Sequence, residues 1–283
     1  MIDSSPPPIK SSQGVSWQLT CHGELPSTST TLMAQAMAGA PSGTAVLALR
    51  QSAGRGSRGR VWQAPSGNLS FSFLVDFPTS SQGATPGAGE AFLAMLPFMA
   101  AVAVHQALER FWSHQAVEGG SPARLEIKWP NDIMVHQQGL PPAKLCGMLV
   151  ETAHRPQAMG GGRCAVIGVG VNLRHAPEGT GRPVTTLAVW LGQESAPRPA
   201  DLAWAIMEAF GALMDGWGTG KSDFVLAEWR KRAHPPGTML AVQGTGTYIT
   251  GMFHDVDAQG KLLLKDASGN LAAVMTGDVL CLA

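Results

Sequence analysis

The chain is short of charge: 14% of its 283 residues are Asp, Glu, Lys or Arg, and twenty basic residues balance twenty acidic ones. A neutral chain has no broad basic field to gather a polyanion, which argues against nucleic acid as its main partner. Metal and disulfide signatures are missing too. Cys21, Cys146, Cys164 and Cys281 include no CxxC pair, and the eight histidines form no HExxH spacing, so neither a protein-held metal nor a disulfide scaffold is expected. The longest apolar run, 92–104, is shorter than the ~20 residues of a membrane span and is broken by Pro97. No membrane segment is expected. Residues 1–16 carry Pro6, Pro7 and Pro8 but no apolar core of a signal peptide; they read as a loose tail on a cytoplasmic protein with reduced thiols.

What is present is 45% apolar content in a chain long enough for one large domain and a smaller one. Its most distinctive stretch, 51–62, reads QSAGRGSRGRVW. Glycines let the backbone turn and approach a ligand, while Arg55, Arg58 and Arg60 supply planar cations suited to phosphate or carboxylate. No Gly-Lys-Ser/Thr closes the run, so it is not a P-loop. A solvated loop is the plainer alternative; a small anionic ligand is preferred.

The periodicity predicts strands at 17–22, 41–50, 69–77, 124–129, 133–135, 144–151 and 163–173. The strand at 69–77 alternates Leu69, Phe71, Phe73, Val75 and Phe77 against Ser70, Ser72 and Asp76, the pattern of a half-buried strand. In 163–173, Ala165, Ile167, Val169, Val171 and Leu173 share one face, and Gly168, Gly170 and Asn172 the other. That bare face can carry a flat ligand or admit a close neighbouring helix, and spacing alone does not choose. Helices are expected from the 27–31 Ser/Thr run to Gly39, over 90–112 with Pro97 starting or kinking it, over 199–217, and over 222–233 with Ser222 as cap. After Pro235 and Pro236, about five short strands punctuated by glycines suggest a small β-barrel. The expected division is a tail at 1–16, a large domain at 17–234 and a barrel at 235–283.

Four blocks stand in order: GRGSRGRVW at 54–62, KWPNDI at 128–133, KLCGMLVE at 144–151 and GVGVNL at 168–173. Together they resemble the biotin protein ligases. The resemblance implies an α/β (α+β) catalytic domain related to class II aminoacyl-tRNA synthetases, with a mixed, mostly antiparallel sheet, and a C-terminal SH3-like barrel. It implies ATP-dependent joining of biotin to a lysine of a biotin carboxyl carrier domain through biotinyl-5′-AMP, with Mg²⁺ accompanying the nucleotide. A form lacking the N-terminal DNA-binding domain is expected; oligomeric state is left open, a homodimer included. The rivals are a lipoate or octanoate ligase or transferase of the same fold, and a non-catalytic biotin sensor.

By the same resemblance Lys144, Arg55 and Lys128 carry the chemistry. Ser27, Thr28, Ser29, Gln51, Gly56, Ser57, Gly147 and Gly168 join Arg55 and Lys144 around biotin. Arg58, Arg60, Trp62, Asn131, Asp132 and Asn172 serve the nucleotide. Two departures stand out. Pro26 and Ser29 flank Ser27-Thr28 where the family usually has Asp and Asn, which alters the expected turn and removes its amide contact; Ser57 replaces the second arginine of Gly-Arg-Gly-Arg, and from that loss weaker retention of the adenylate is expected.

Overall fold

The computed structural model describes residues 15–78, 87–112, 123–218, 222–244 and 246–282. Most of the expected tail, much of the loop expected after 77 and the side chain of Ser222 lie outside them. Two sheets organise the chain. The larger has seven strands in the order β1-β2-β3-β7-β6-β5-β4, from β1 (Gln18–Leu25), β2 (Thr44–Gln51), β3 (Leu69–Asp76), β4 (Arg124–Lys128), β5 (Asp132–His136), β6 (Ala143–His154) and β7 (Arg163–Val171). Only β1 and β2 pair in parallel; the remaining pairs are antiparallel. The mixed, mostly antiparallel sheet is therefore present, and β4-β5-β6 forms an antiparallel meander.

Helix α1 (Thr28–Met37) lies on one face of the sheet, and Ser27 caps it by accepting from the Thr30 N–H. Its Leu32 and Ala36 pack with Val46, Leu74 and Val166. This cover corrects the half-buried reading of 69–77: Leu69 through Val75 are all buried, because α1 and its surroundings close over the serine face as well. On the opposite face lie α2 (Ala88–Glu109) and α4 (Pro199–Gly218), with α5 (Ser222–Arg230) packed on α2. Pro97 sits inside α2, not at its start. The helix is long and apolar enough to cross a membrane, with a mean hydropathy of 1.8, yet 72% of that stretch is buried in the protein. A short α3 (Leu187–Leu191), capped by Thr186, follows a region for which no element was expected.

The smaller sheet is all antiparallel, ordered β11-β10-β9-β8-β12, from β8 (Met239–Gln243), β9 (Tyr248–Val256), β10 (Leu262–Lys265), β11 (Leu271–Val274) and β12 (Asp278–Cys281). Its interior is continuous with the main core. Phe98 of α2 meets Trp229 of α5 at 5.3 Å between ring centroids, and Trp229 meets Phe253 of β9 at 6.3 Å. The indole of Trp129 donates to the Gly260 carbonyl at 3.0 Å. These contacts hang the small sheet at one end of the large one.

Candidate active site

One cavity of about 900 Å³ opens between α1, the 51–62 loop, the 128–148 hairpin region, β7 and the segment 275–281. Every residue singled out from the sequence lines it: Ser27, Thr28, Ser29, Gln51, Arg55, Gly56, Ser57, Arg58, Arg60, Trp62, Lys128, Asn131, Asp132, Lys144, Gly147, Gly168 and Asn172. That volume falls in the usual range for small-molecule sites.

At its inner end the groups are neutral, with Thr28, Ser29 and Ser72 buried and Gln51 half-buried. Gln51 Oε1 accepts from the Thr28 N–H at 2.7 Å and from Thr28 Oγ1 at 3.2 Å. Thr28 Oγ1 and Ser29 Oγ both reach Ser72 Oγ, at 2.8 and 3.0 Å. Ser72 is wholly buried on β3, directly beside Gly168 of β7. The glycines of β7 make room for side chains: a Cβ on Gly168 would come within 2.5 Å of Ser29 Oγ, and one on Gly170 within 2.3 Å of the Trp62 indole. The bare face thus takes a helix residue at one point and a ring from the glycine loop at the next.

The outer end is ionic. Lys144 Nζ donates to Asp132 Oδ1 at 2.6 Å, and Lys128 Nζ lies 3.0 Å from Asp132 Oδ2 and 3.1 Å from the Val279 carbonyl. Burial opposes ionisation of Asp132, but the two ammonium groups outweigh it and hold the carboxyl below its usual range. Lys144 also lies 5.8 Å from the Trp62 ring centroid, within cation–π range. Asn131 Nδ2 donates to the Met148 carbonyl at 3.2 Å. Asn172 is 1% exposed and its Oδ1 has no hydrogen-bond partner among the described residues. An acceptor so buried calls for a donor.

The arginines of the glycine loop diverge. Arg55 pairs with Glu151 and donates to Thr30 Oγ1 at 3.3 Å. Arg58, in left-handed backbone with φ of 59°, reaches Thr276 Oγ1 at 3.2 Å. Arg60 folds back onto Ser57, donating to its Oγ at 2.9 Å and its carbonyl at 3.3 Å, and reaches Asp278 of β12 at 3.2 Å. Asp278 is also held by Arg182 through both oxygens, at 3.1 and 2.7 Å. The Arg182 hydrogen bonds outweigh the burial penalty and, with Arg60 and Lys128 nearby, lower its carboxyl to about 2.

The sequence profile of the Biotin/lipoate A/B protein ligase family matches residues 24–172. A biotin--[acetyl-CoA-carboxylase] ligase of Paracoccus denitrificans is 33% identical over 79% of this chain and 85% of its own length. The chain belongs to the biotin protein ligase family. A second biotin--[acetyl-CoA-carboxylase] ligase, from Mycobacterium tuberculosis, is 30% identical over 94% of this chain and 90% of its own. The solved biotin protein ligase of Aquifex aeolicus, in complex with biotin and ATP, superimposes with a TM-score of 0.71, covering 93% of this chain and 99% of that one. At 22% identity, that likeness carries the fold.

Around this cavity, four contributors to the geometry went unread in the sequence. Glu151 closes the expected block 144–151 and was there to be noticed. Ser72 shares a strand face with Ser70, but only the register beside Gly168 gives it meaning. Arg182 and Asp278 lie in segments with no motif, and they meet only in the fold.

Proposed function

We propose that this chain activates biotin with ATP and passes it to a lysine of a biotin carboxyl carrier domain. In the first step a biotin carboxylate oxygen attacks the α-phosphorus, forming biotinyl-5′-AMP as pyrophosphate leaves. In the second the deprotonated lysine amine attacks the acyl carbon, forming the amide as AMP leaves. The observation that carries this reading is a single cavity joining a neutral hydrogen-bonding end to a cationic end, with Lys144 on the cationic side and the Asn172 acceptor buried in its wall. Two anions must be brought together, so fixed cations offset charge that builds at phosphorus.

In this assignment Ser27, Thr28, Ser29 and Gln51 bind the biotin ring system, and Gly147 and Gly168 allow backbone approach. Lys144 and Arg55 face the carboxylate and α-phosphate. Trp62 packs on adenine and the Asn172 oxygen accepts from its amino group. Lys128, Asn131, Asp132, Arg58 and Arg60 serve the phosphates. Among the described residues no group of three or more His, Cys, Asp or Glu side chains could hold a metal, and both Asp132 oxygens face ammonium groups. A resident protein-held metal does not fit; Mg²⁺ is assigned to the MgATP substrate.

The test is exchange of labelled pyrophosphate into ATP by the purified protein, with biotin, lipoate or octanoate as the acid. Exchange supported by biotin alone is expected. Exchange with lipoate or octanoate instead would move the activity to the sister branch, and none with any acid would leave a sensor.

A further inference from the structure

The geometry points to Ser72, a residue outside the assigned ligand contacts, as the positioning residue that fixes proton direction along the inner end of the cavity. It thereby selects a ring that carries N–H donors. This inference rests on the biotin reading above.

The argument is a count of protons. The backbone N–H of Thr28 can only donate, so the atom of Gln51 facing it at 2.7 Å must be the oxygen. That oxygen also takes the hydroxyl hydrogen of Thr28 at 3.2 Å. A hydroxyl has one hydrogen, so in the Thr28–Ser72 contact at 2.8 Å Ser72 donates. Its hydrogen is then spent, and in the Ser29–Ser72 contact at 3.0 Å Ser29 donates. The sequence of donation runs Ser29 to Ser72 to Thr28 to Gln51. Thr28 and Ser29 line the cavity with their hydrogens committed inward, so they offer lone pairs alone.

Two hydroxyls that can only accept reward a ligand that brings N–H groups, while the Gln51 amide nitrogen, in the same lining, remains a donor. A cyclic urea brings such groups; a dithiolane or an alkyl end does not, and it would leave these oxygens desolvated and unpaired. Ser72 is the hinge of the relay because its two hydroxyl contacts are both to cavity-lining residues while it is itself wholly buried. Without its oxygen, Ser29 is released to turn its hydrogen toward the cavity and Thr28 loses a donor.

The experiment is calorimetric titration of wild type and Ser72→Ala with biotin, with biotin methylated at its ureido nitrogens, with lipoate and with ATP. Urea unfolding serves as a check on folding. Ser72→Ala is expected to bind biotin about tenfold more weakly, the scale of one buried hydrogen bond, with ATP affinity unchanged. The two proteins should bind methylated biotin alike, and the preference for biotin over lipoate should narrow by the same factor. Equal weakening toward biotin and ATP, equal weakening toward biotin and its methylated form, or unchanged biotin affinity would each overturn the assignment. The wild-type titrations report separately on the proposed function: a wild type that takes lipoate and not biotin refutes that reading, and with it the selection of an N–H-bearing ring.

Discussion

The two ends of the cavity are built on different physics. The inner end is a line of neutral groups, Gln51, Thr28, Ser72 and Ser29, held by short hydrogen bonds between a helix terminus and two adjacent strands. The outer end is a lattice of ion pairs that ties the glycine loop and the 182 loop to β12 through Asp278, and β4, β5 and β6 through Asp132. Neutral buried bonds are insensitive to salt and to pH, whereas partly exposed ion pairs are screened and titrate. The inner end is thus set in advance, while the outer end holds carboxylates with which, on the proposed reading, an anionic substrate competes for the same cations.

Lys144→Ala breaks the comparison most severely. Removing the cation assigned to the transition state should cut kcat for pyrophosphate exchange by at least about 100-fold, with a much smaller change in KM for biotin. A rise in that KM with kcat preserved would place Lys144 in ground-state binding alone. Asp278→Asn comes next. It loosens the outer wall, and the stability lost should be about 1 kcal/mol once solvent screening is allowed for. An unfolded carboxyl titrates near 4 and that of Asp278 is lowered to about 2. Its contribution is therefore full above about pH 4 and lost as pH falls through about 2. Urea midpoints of wild type and variant should differ at neutral pH and converge by about pH 2; a constant gap would show that Asp278 acts through packing. The smallest effect sharpens the contrast without mutation. Raising salt from about 0.05 to about 0.5 M should raise KM for ATP about threefold and leave biotin affinity within about twofold, because only the outer end is screened.

The contrast also explains what could be read from the chain. The outer cations sit in compact blocks, GRGSRGRVW, KWPNDI and KLCGMLVE, whose residue types announce anion chemistry. The strands were visible through their alternation, and the five-strand count after Pro236 held. The inner relay was opaque. Ser72 looks like any polar position on an alternating strand until β3 is set beside Gly168 of β7 and α1 is laid across both. Burial of the serine face of β3 was misjudged for the same reason, since alternation reports the chemistry of a face and says nothing of what covers it. Asp278 and Arg182, 96 residues apart, carry no local signature, and only the placement of β12 against the 182 loop pairs them. Ser57, whose place in a position usually held by arginine leads to the expectation of weaker adenylate retention, is the group onto which Arg60 folds.

The row of rings from Phe98 through Trp229 to Phe253 bears on how such a protein can vary. A small sheet built on the same core as the large one is not an interchangeable cassette. Any substitute for the last strands would have to return an aromatic ring to Trp229 and keep glycine at 260, where a Cβ would come within 2.5 Å of Phe98 in a backbone conformation of φ 80°. Recombination can shuffle the two sheets only by carrying both sides of that seam together.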